Sequence, residues 1–179
     1  MPLGLLSCQG QTTFIFMKIG LLSDTHSFLD DAVFHHFDAC DEVWHAGDFG
    51  NGEVAEKLAA FKPLRGVYGN IDGQDIRATY PEHLRFTCEE MDVWMTHIGG
   101  YPGRYAATIK SEIQRNPPKL FISGHSHILK VQYDPKLQLL HLNPGAAGKQ
   151  GWHKVRTLMR FDIIGDRAEN MEVIELNGR

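Results

Sequence analysis

Five apolar runs of strand length in this chain are each followed at once by residues that can bind a metal ion. The runs are Lys18–Ser23, Glu42–His45, Leu64–Tyr68, Val93–Thr96 and Leu120–Ser123. Short apolar runs that end in small or polar residues predict buried strands. Loops at the carboxyl ends of parallel strands meet at one crevice. We therefore expect the polar residues of these five loops to lie close together.

Between the predicted strands, apolar residues recur at the spacing of helices. The three stripes are Leu29, Ala32, Val33, His36 and Phe37; Val54, Lys57, Leu58 and Phe61; and Ala106, Ile109, Lys110 and Ile113. After His127, four alternating segments predict antiparallel hairpins: Ile128–Tyr133, Leu137–Leu142, Val155–Ile163 and Asn170–Glu175. We expect an α/β fold in which two sheets pack into one core with helices outside.

Length and composition indicate one globular domain in a reducing compartment. The 179 residues include 42% hydrophobic and 22% charged residues, which is typical of a folded domain. Cys8, Cys40 and Cys88 are too few and too scattered for a disulfide framework, which favours the cytoplasm. A formal net charge of −4 gives no general attraction to anionic membranes or nucleic acid, so we expect neither as a bulk partner.

The first 16 residues differ in character from the rest. They lack the basic start and continuous apolar stretch of an export signal, and the strong strand pattern begins at Met17. We interpret residues 1–16 as an extension, or a start codon placed too early, and residues 17–179 as the domain. The alternative is an extra edge strand through Thr13 to Met17, since Thr-Phe-Ile-Phe favours β structure.

The five strand ends carry seven candidate metal ligands. These are Asp24, His26, Asp48, Asn70, His97, His125 and His127. Each has an ordinary alternative: Asp24 suits the start of a helix near Ser27, Gly47-Asp48 suits a turn, and His97 suits a buried histidine. Recurrence directly after five strands makes independent coincidence a poor explanation. Seven ligands exceed one octahedral ion and suit two ions about 3.5–4 Å apart.

This series of motifs resembles the calcineurin-like metallophosphoesterases, in particular their small single-domain prokaryotic phosphodiesterase branch. The resemblance runs from Met17 to about Glu175 and includes Asn143-Pro144-Gly145. It implies a four-layer αββα sandwich of two mixed sheets with a dinuclear metal centre. It also implies the following roles: Asp24, His26 and His127 at the first metal; Asn70, His97 and His125 at the second; Asp48 as the bridge; Asp48, Asn70, His97 and His127 as catalytic residues; His45 and Asp72 as hydrogen-bonding supports.

The donor set indicates the metal and the reaction. Imidazoles combined with oxygen donors suit Mn or Fe, with Ni, Co and Zn as alternatives, better than Mg. Two such ions lower the pKa of a bridging water and stabilise charge on phosphate oxygens. We therefore expect hydrolysis of a phosphodiester by a bridging hydroxide. The expected partner is a small organic phosphate or a nucleotide-like phosphodiester, and homo-oligomer formation stays open.

Two departures from the family pattern bear on the chemistry. Ile71 stands where larger relatives carry a histidine that protonates the leaving group, so the proton would come from water or from a side chain such as His153. Ile98 follows His97 where the family commonly has glycine. Substrate contacts are open between plain loop surface and two loops, one with Tyr101, Arg104 and Tyr105, the other with Lys149, Gln150, Trp152 and His153.

Two other classes of protein are alternatives for a sequence of this kind. An amidohydrolase needs a (β/α)₈ barrel of about 250 residues, and this chain is too short. A non-catalytic protein-binding scaffold is the stronger alternative, because a retromer subunit uses the same sandwich in that way and fold does not fix function. The complete set of seven ligands argues for the enzyme, since such polar groups crowded together without a metal would be destabilising.

Overall fold

The computed structural model describes residues 16–178, in which strands and helices alternate over about the first half and strands predominate after it. The strands are β1 (Met17–Leu22), β2 (Glu42–His45), β3 (Leu64–Gly66), β4 (His83–Cys88), β5 (Met91–Thr96), β6 (Gly100–Tyr101), β7 (Arg104–Tyr105), β8 (Leu120–Ile122), β9 (Lys130–Asp134), β10 (Leu139–Asn143), β11 (Arg156–Ile164) and β12 (Arg167–Leu176). The helices are α1 (Ala32–Phe37), α2 (Gly52–Phe61), α3 (Gln74–Thr79) and α4 (Ala107–Arg115). None of these helices is long and apolar enough to span a membrane.

Two five-stranded mixed sheets form the centre of the fold. The first has the order β12-β11-β1-β2-β3 and the second the order β4-β5-β8-β10-β9. In the first sheet β1, β2 and β3 are parallel. In the second sheet β5, β8 and β10 are parallel. The carboxyl ends of six strands are therefore available to supply loops to a shared site.

Alternation along the strands produces the layers. On β5, Val93 and Met95 enter the cluster between the sheets, whereas Trp94 enters the cluster beneath α4. On β2, Trp44 faces the inter-sheet cluster and Val43 faces the cluster beneath α1, α2 and α3. Successive side chains of a strand point to opposite faces of its sheet, so each sheet has apolar side chains on both faces. The predicted αββα sandwich is confirmed.

The predicted elements are confirmed with shifts at their ends. The strand over Glu42–His45 is observed as predicted, and the four alternating segments form the hairpins β9–β10 and β11–β12. The hairpins lie in different sheets, and β10 also pairs in parallel with β8. The alternative edge strand through Thr13 to Met17 falls outside the described residues, except for Phe16 and Met17.

One expectation for local structure was wrong, and some elements were not predicted. The first helix begins at Ala32 rather than near Ser27, because Asp24, His26 and Ser27 adopt positive φ angles while their amides bond to the loop after β2. The helix α3 and the edge strand β4 were not predicted. The residues of β4 alternate between exposed and partly buried, so its apolar signal is weaker than that of β5.

The layered core predicts a large effect for Leu21→Ala. Leu21 is fully buried between the two sheets, so we expect a loss of about 2–5 kcal/mol in the free energy of unfolding. Val131→Ala on the edge strand β9, where the side chain is 49% exposed, should cost less than about 1 kcal/mol. Urea denaturation measures both. Equal losses would contradict the assignment of the inter-sheet core.

Candidate metal centre

All seven predicted ligands follow strands that are parallel within their own sheets. Asp24 and His26 follow β1, Asp48 follows β2 and Asn70 follows β3, while His97 follows β5 and His125 and His127 follow β8. The sixth parallel strand, β10, ends at Asn143. The Asn143 amide donates to the Gly124 carbonyl at 2.8 Å and to the Ser126 hydroxyl at 3.2 Å. Asn143 therefore supports the loop that carries the last two histidines.

The structure brings six of these residues into two adjoining groups. Asp24, His26 and His127 form the first, and Asp48, His97 and His125 form the second. Within each group the possible ligand atoms all lie within 4.8 Å of one another. The Asp48 Oδ2 lies 3.2 Å from the His97 Nε2 and 3.7 Å from the His26 Nε2. Asp48 thus contacts both groups, as a bridging carboxylate must.

Each carboxylate uses one oxygen for the backbone and turns the other toward the imidazoles. The Asp24 Oδ2 accepts the His125 N–H at 3.1 Å, and the Asp48 Oδ1 accepts the Ile71 N–H at 3.1 Å. The Asp24 Oδ1 is buried without a hydrogen-bond donor and lies 3.1 Å from the His127 Nε2. Buried polar atoms are costly unless paired. A divalent cation between the oxygen and the rings would satisfy them.

The hydrogen bonds of His97 leave a lone pair inside the second group. Its Nδ1 bonds to the Ala46 carbonyl at 2.8 Å, and a carbonyl only accepts, so Nδ1 carries the proton. The neutral ring then presents a bare Nε2 to the Asp48 carboxylate. Burial alone would lower the pKa of His97, but the nearby carboxylates of Asp48 and Asp24 favour its protonated form more strongly, so the pKa is raised. A position that attracts a proton in this way also attracts a metal cation.

A second chain of hydrogen bonds fixes the tautomer of His127. The His153 Nε2 lies 3.0 Å from the Gly148 carbonyl and its Nδ1 lies 3.2 Å from the His127 Nδ1. A neutral His153 that donates to the carbonyl must accept at Nδ1, so His127 carries its proton on Nδ1. The His127 Nε2 is then a lone pair facing Asp24. Such support is common for metal-binding histidines.

Five of the seven predicted ligands have left-handed backbone conformations. Their φ angles are between 48° and 66°: Asp24, His26, Asp48, His125 and His127. Such conformations cost about 1–2 kcal/mol each for residues other than glycine. Bonds between loops hold them: the Asp24 amide donates to the Gly47 carbonyl and the His26 amide to the Asp48 carbonyl. Strain of this kind concentrates at functional sites.

Two glycines allow the loops to approach the ligands. A Cβ atom on Gly47 would lie 2.6 Å from the His97 ring, and Gly47 has a φ of +96°. A Cβ atom on Gly69 would lie 2.0 Å from the Asp48 Oδ1. Any side chain at either position would displace a predicted ligand.

Asn70 lies at the outer side of the second group. It is exposed, and together with His97 it lines a cavity of about 310 Å³. Arg77 braces this loop by donating to the carbonyls of Gly69 and Asn70. Sequence reasoning missed Arg77, because an arginine on a short helix gives no signal of its role in a neighbouring loop.

His45 and Asp72 contact the loops that carry the ligands, not the ligand side chains. The fully buried His45 bonds to the Thr25 hydroxyl at 3.0 Å and accepts the Gly47 N–H at 3.2 Å. Burial lowers the pKa of His45 to about 3, so the ring is neutral. Asp72 accepts the N–H groups of Gly50 and Gly69, at 2.8 and 2.7 Å. Asp72 thereby ties the loops after β2 and β3 together.

The link from His153 to His127 gives a testable prediction. If the first group binds a divalent ion, His153→Ala removes the acceptor that fixes the His127 tautomer. We expect the affinity at one of two sites to fall about 10–100-fold, with partial recovery in His153→Gln, which keeps an acceptor oxygen. Calorimetric titration with Mn²⁺ or Zn²⁺ measures this. Unchanged affinity at both sites would contradict the assignment.

The chain is similar to known proteins in both sequence and fold. A probable metallophosphoesterase of Methanothermobacter thermautotrophicus is 29% identical over 135 residues, which are 73% of this chain and 77% of that protein. The solved structure of an archaeal phosphodiesterase has 22% identity and a TM-score of 0.71, covering 89% of this chain and 100% of the other. Vps29 from Entamoeba histolytica in complex with Zn²⁺ has 15% identity and a TM-score of 0.63, covering 90% and 100%. Residues 17–166 match the calcineurin-like phosphoesterase superfamily domain. The chain therefore belongs to the calcineurin-like phosphoesterase superfamily, as its strand-end motifs predicted.

Proposed function

We propose that this protein is a metal-dependent phosphodiesterase with a dinuclear centre. The observation that carries the proposal is the pair of adjoining ligand groups in contact with one carboxylate, Asp48. Asp24, His26 and His127 would hold one ion, and Asn70, His97 and His125 would hold the other, with Asp48 between them. Membership of the phosphoesterase superfamily supports hydrolysis of a phosphoric ester.

The residues present fit borderline divalent ions. Four imidazoles and two carboxylates favour Mn or Fe, with Co, Ni and Zn as alternatives, over a magnesium ion, which prefers oxygen ligands and water. The buried Asp24 Oδ1 and His97 Nε2 both lack hydrogen-bond partners. Both atoms have lone pairs available for a cation, which supports a metal centre over a purely hydrogen-bonded cluster.

The chain's own residues would position the substrate by charge and shape. Two divalent ions, when bound, supply an activated water and stabilise negative charge on phosphate oxygens. Asp24 and Asp48 neutralise only part of such a charge, so the loaded site would attract a phosphate group despite the net charge of −4. The backbone N–H groups of Ile71 and His125 hold the two carboxylates in place, which preorganises the site.

The space beside the metal ligands suits a diester substrate better than a monoester substrate. One cavity of about 310 Å³ adjoins Asn70 and His97, and another of about 340 Å³ adjoins His125 and His127. A phosphodiester has two organic substituents, and each could enter one cavity. The likeness to an archaeal phosphodiesterase supports the same substrate class.

The alternative function is a non-catalytic protein-binding scaffold. The likeness to Vps29 is the observation that favours this alternative. Because that Vps29 structure contains Zn²⁺, metal binding alone does not separate the two functions. Turnover does. The enzyme should hydrolyse an activated aryl phosphodiester in the presence of Mn²⁺, and the scaffold should not.

The bridging assignment predicts how metal content responds to substitution. Asp48→Asn should weaken or abolish the binding of both ions and abolish turnover, because the Asp48 Oδ2 contacts both groups. His26→Ala should affect mainly the first ion, and His97→Ala mainly the second. Elemental analysis of the purified protein gives the number of ions per chain.

The matched control is Asp166→Asn, the same change at an exposed carboxylate that pairs with Lys119 on the surface. It should keep both ions and full activity. If Asp48→Asn also keeps two tightly held ions and full activity, Asp48 does not bridge them.

Ile71 predicts a steep dependence of rate on the leaving group. Its side chain is 46% exposed beside the site and has no proton to give, and the His153 Nε2–H is directed at the Gly148 carbonyl. General acid catalysis is worth about 10²–10⁴-fold, so unactivated alkyl diesters should react far more slowly than aryl diesters.

The test is kcat/KM over aryl phosphodiesters of graded acidity, with chemistry limiting the rate. Ile71→His should flatten the dependence by adding a proton donor, whereas Ile71→Leu should leave it steep. A flat dependence in the wild-type protein would mean that another group donates the proton.

A further inference from the structure

One side of the proposed centre carries an exposed aromatic surface. Trp152 is 99% exposed and Ile128 is 62% exposed, and both line the cavity of about 340 Å³ that contains His125 and His127. The two apolar side chains come from different loops, one after β8 and one before β11. An apolar surface of this kind beside a polar site marks a place where a ligand or partner binds.

The residue after Trp152 attaches its loop to the first ligand group. His153 bonds to the Gly148 carbonyl and to His127, so the backbone next to Trp152 is attached to the first ligand group. The loop that carries Trp152 therefore lies next to the proposed centre.

The other loop that could contact a substrate is engaged within the protein. The Tyr105 hydroxyl donates to Asp134 at 2.7 Å, and the Lys130 ammonium lies over the Tyr101 ring at 4.4 Å. On the opposite side of the centre, the Arg77 guanidinium donates to backbone carbonyls and stacks on Tyr68. Among the described residues that line the cavity beside His125 and His127, Trp152 is the one tryptophan, tyrosine or phenylalanine.

We propose that the cavity formed by Trp152 and Ile128 binds a planar aromatic substituent of the phosphodiester, such as a nucleobase. This inference rests on the proposed function and adds the substrate class. Stacking on an aromatic side chain suits any flat ring because every such ring has a π face. The lining beside His125 and His127 offers hydrophobic surface and no lysine, arginine or carboxylate, which favours an uncharged ring over a charged headgroup.

The tryptophans of the chain provide a direct readout. Trp44 is fully buried and Trp94 is 5% exposed, so Trp152 gives the solvent-exposed part of the fluorescence. We would titrate the Zn²⁺-loaded protein with adenosine 5′-monophosphate and with ribose 5-phosphate, in which a hydroxyl group replaces the base. Calorimetry gives both affinities independently of fluorescence and of turnover.

The nucleotide should quench Trp152 and bind about 5–100-fold more tightly than the sugar phosphate, as expected for one stacked base. Trp152→Ala should remove this difference without changing the affinity for ribose 5-phosphate, and Trp152→Phe should keep part of it. Phenyl phosphate compared with methyl phosphate separates a general aromatic preference from one for nucleobases, and either preference supports the proposal.

Three results would overturn it. Equal affinities for nucleotide and sugar phosphate in the wild-type protein would leave the metal centre in place and remove the aromatic site. A change in Trp152 fluorescence with protein concentration alone would mean that a second copy of the chain covers this surface. Binding of neither probe would contradict the phosphate-binding centre, and with it this inference.

Discussion

The packing of two carboxylates against four imidazole rings is the constraint on which the rest of the structure depends. Asp24 and His97 are buried, and each presents an atom with no hydrogen-bond partner to the same small volume. Left without a cation or extra protons, these lone pairs repel one another in a medium of low polarity. Five predicted ligands also hold strained backbone angles. Cations in this cluster would relieve that repulsion, so the proposed metal centre explains both the geometry and the strain.

The fold supplies this cluster through its parallel strands. Three strands of each sheet end at the same side of the sandwich, and the ligands come from the first few residues after them. The loops are fastened to one another by the backbone: Ala147 donates to the Ser23 carbonyl, and Gly124 donates to the His97 carbonyl. The buried Arg156 donates to the Ala147 carbonyl and pairs with Asp30 at 2.8 Å. The packed core thus limits how far any ligand can move.

The ends of the strands and their polar residues could be predicted from the sequence, whereas the contacts between loops could not. A buried strand followed by Asp24 or His97 can be predicted, because an apolar run gives way to polar residues within a few positions. The start of α1 could not be predicted, because the hydrogen bonds that keep the preceding residues out of the helix come from the loop after β2. The role of His153 depends on a ring nitrogen 3.2 Å away and 26 positions earlier, and no local pattern encodes such a contact. Strand β4 was missed because an edge strand is only half buried and its pattern is weak.

If the proposed centre is correct, the two ligand groups hold two ions at once. Anomalous diffraction from crystals grown with Mn²⁺, measured on both sides of the manganese absorption edge, tests it most directly. We expect two anomalous peaks about 3.5–4 Å apart, one beside Asp24, His26 and His127 and the other beside Asn70, His97 and His125, with Asp48 reaching both. A single peak, or none at these residues under saturating metal, would contradict it.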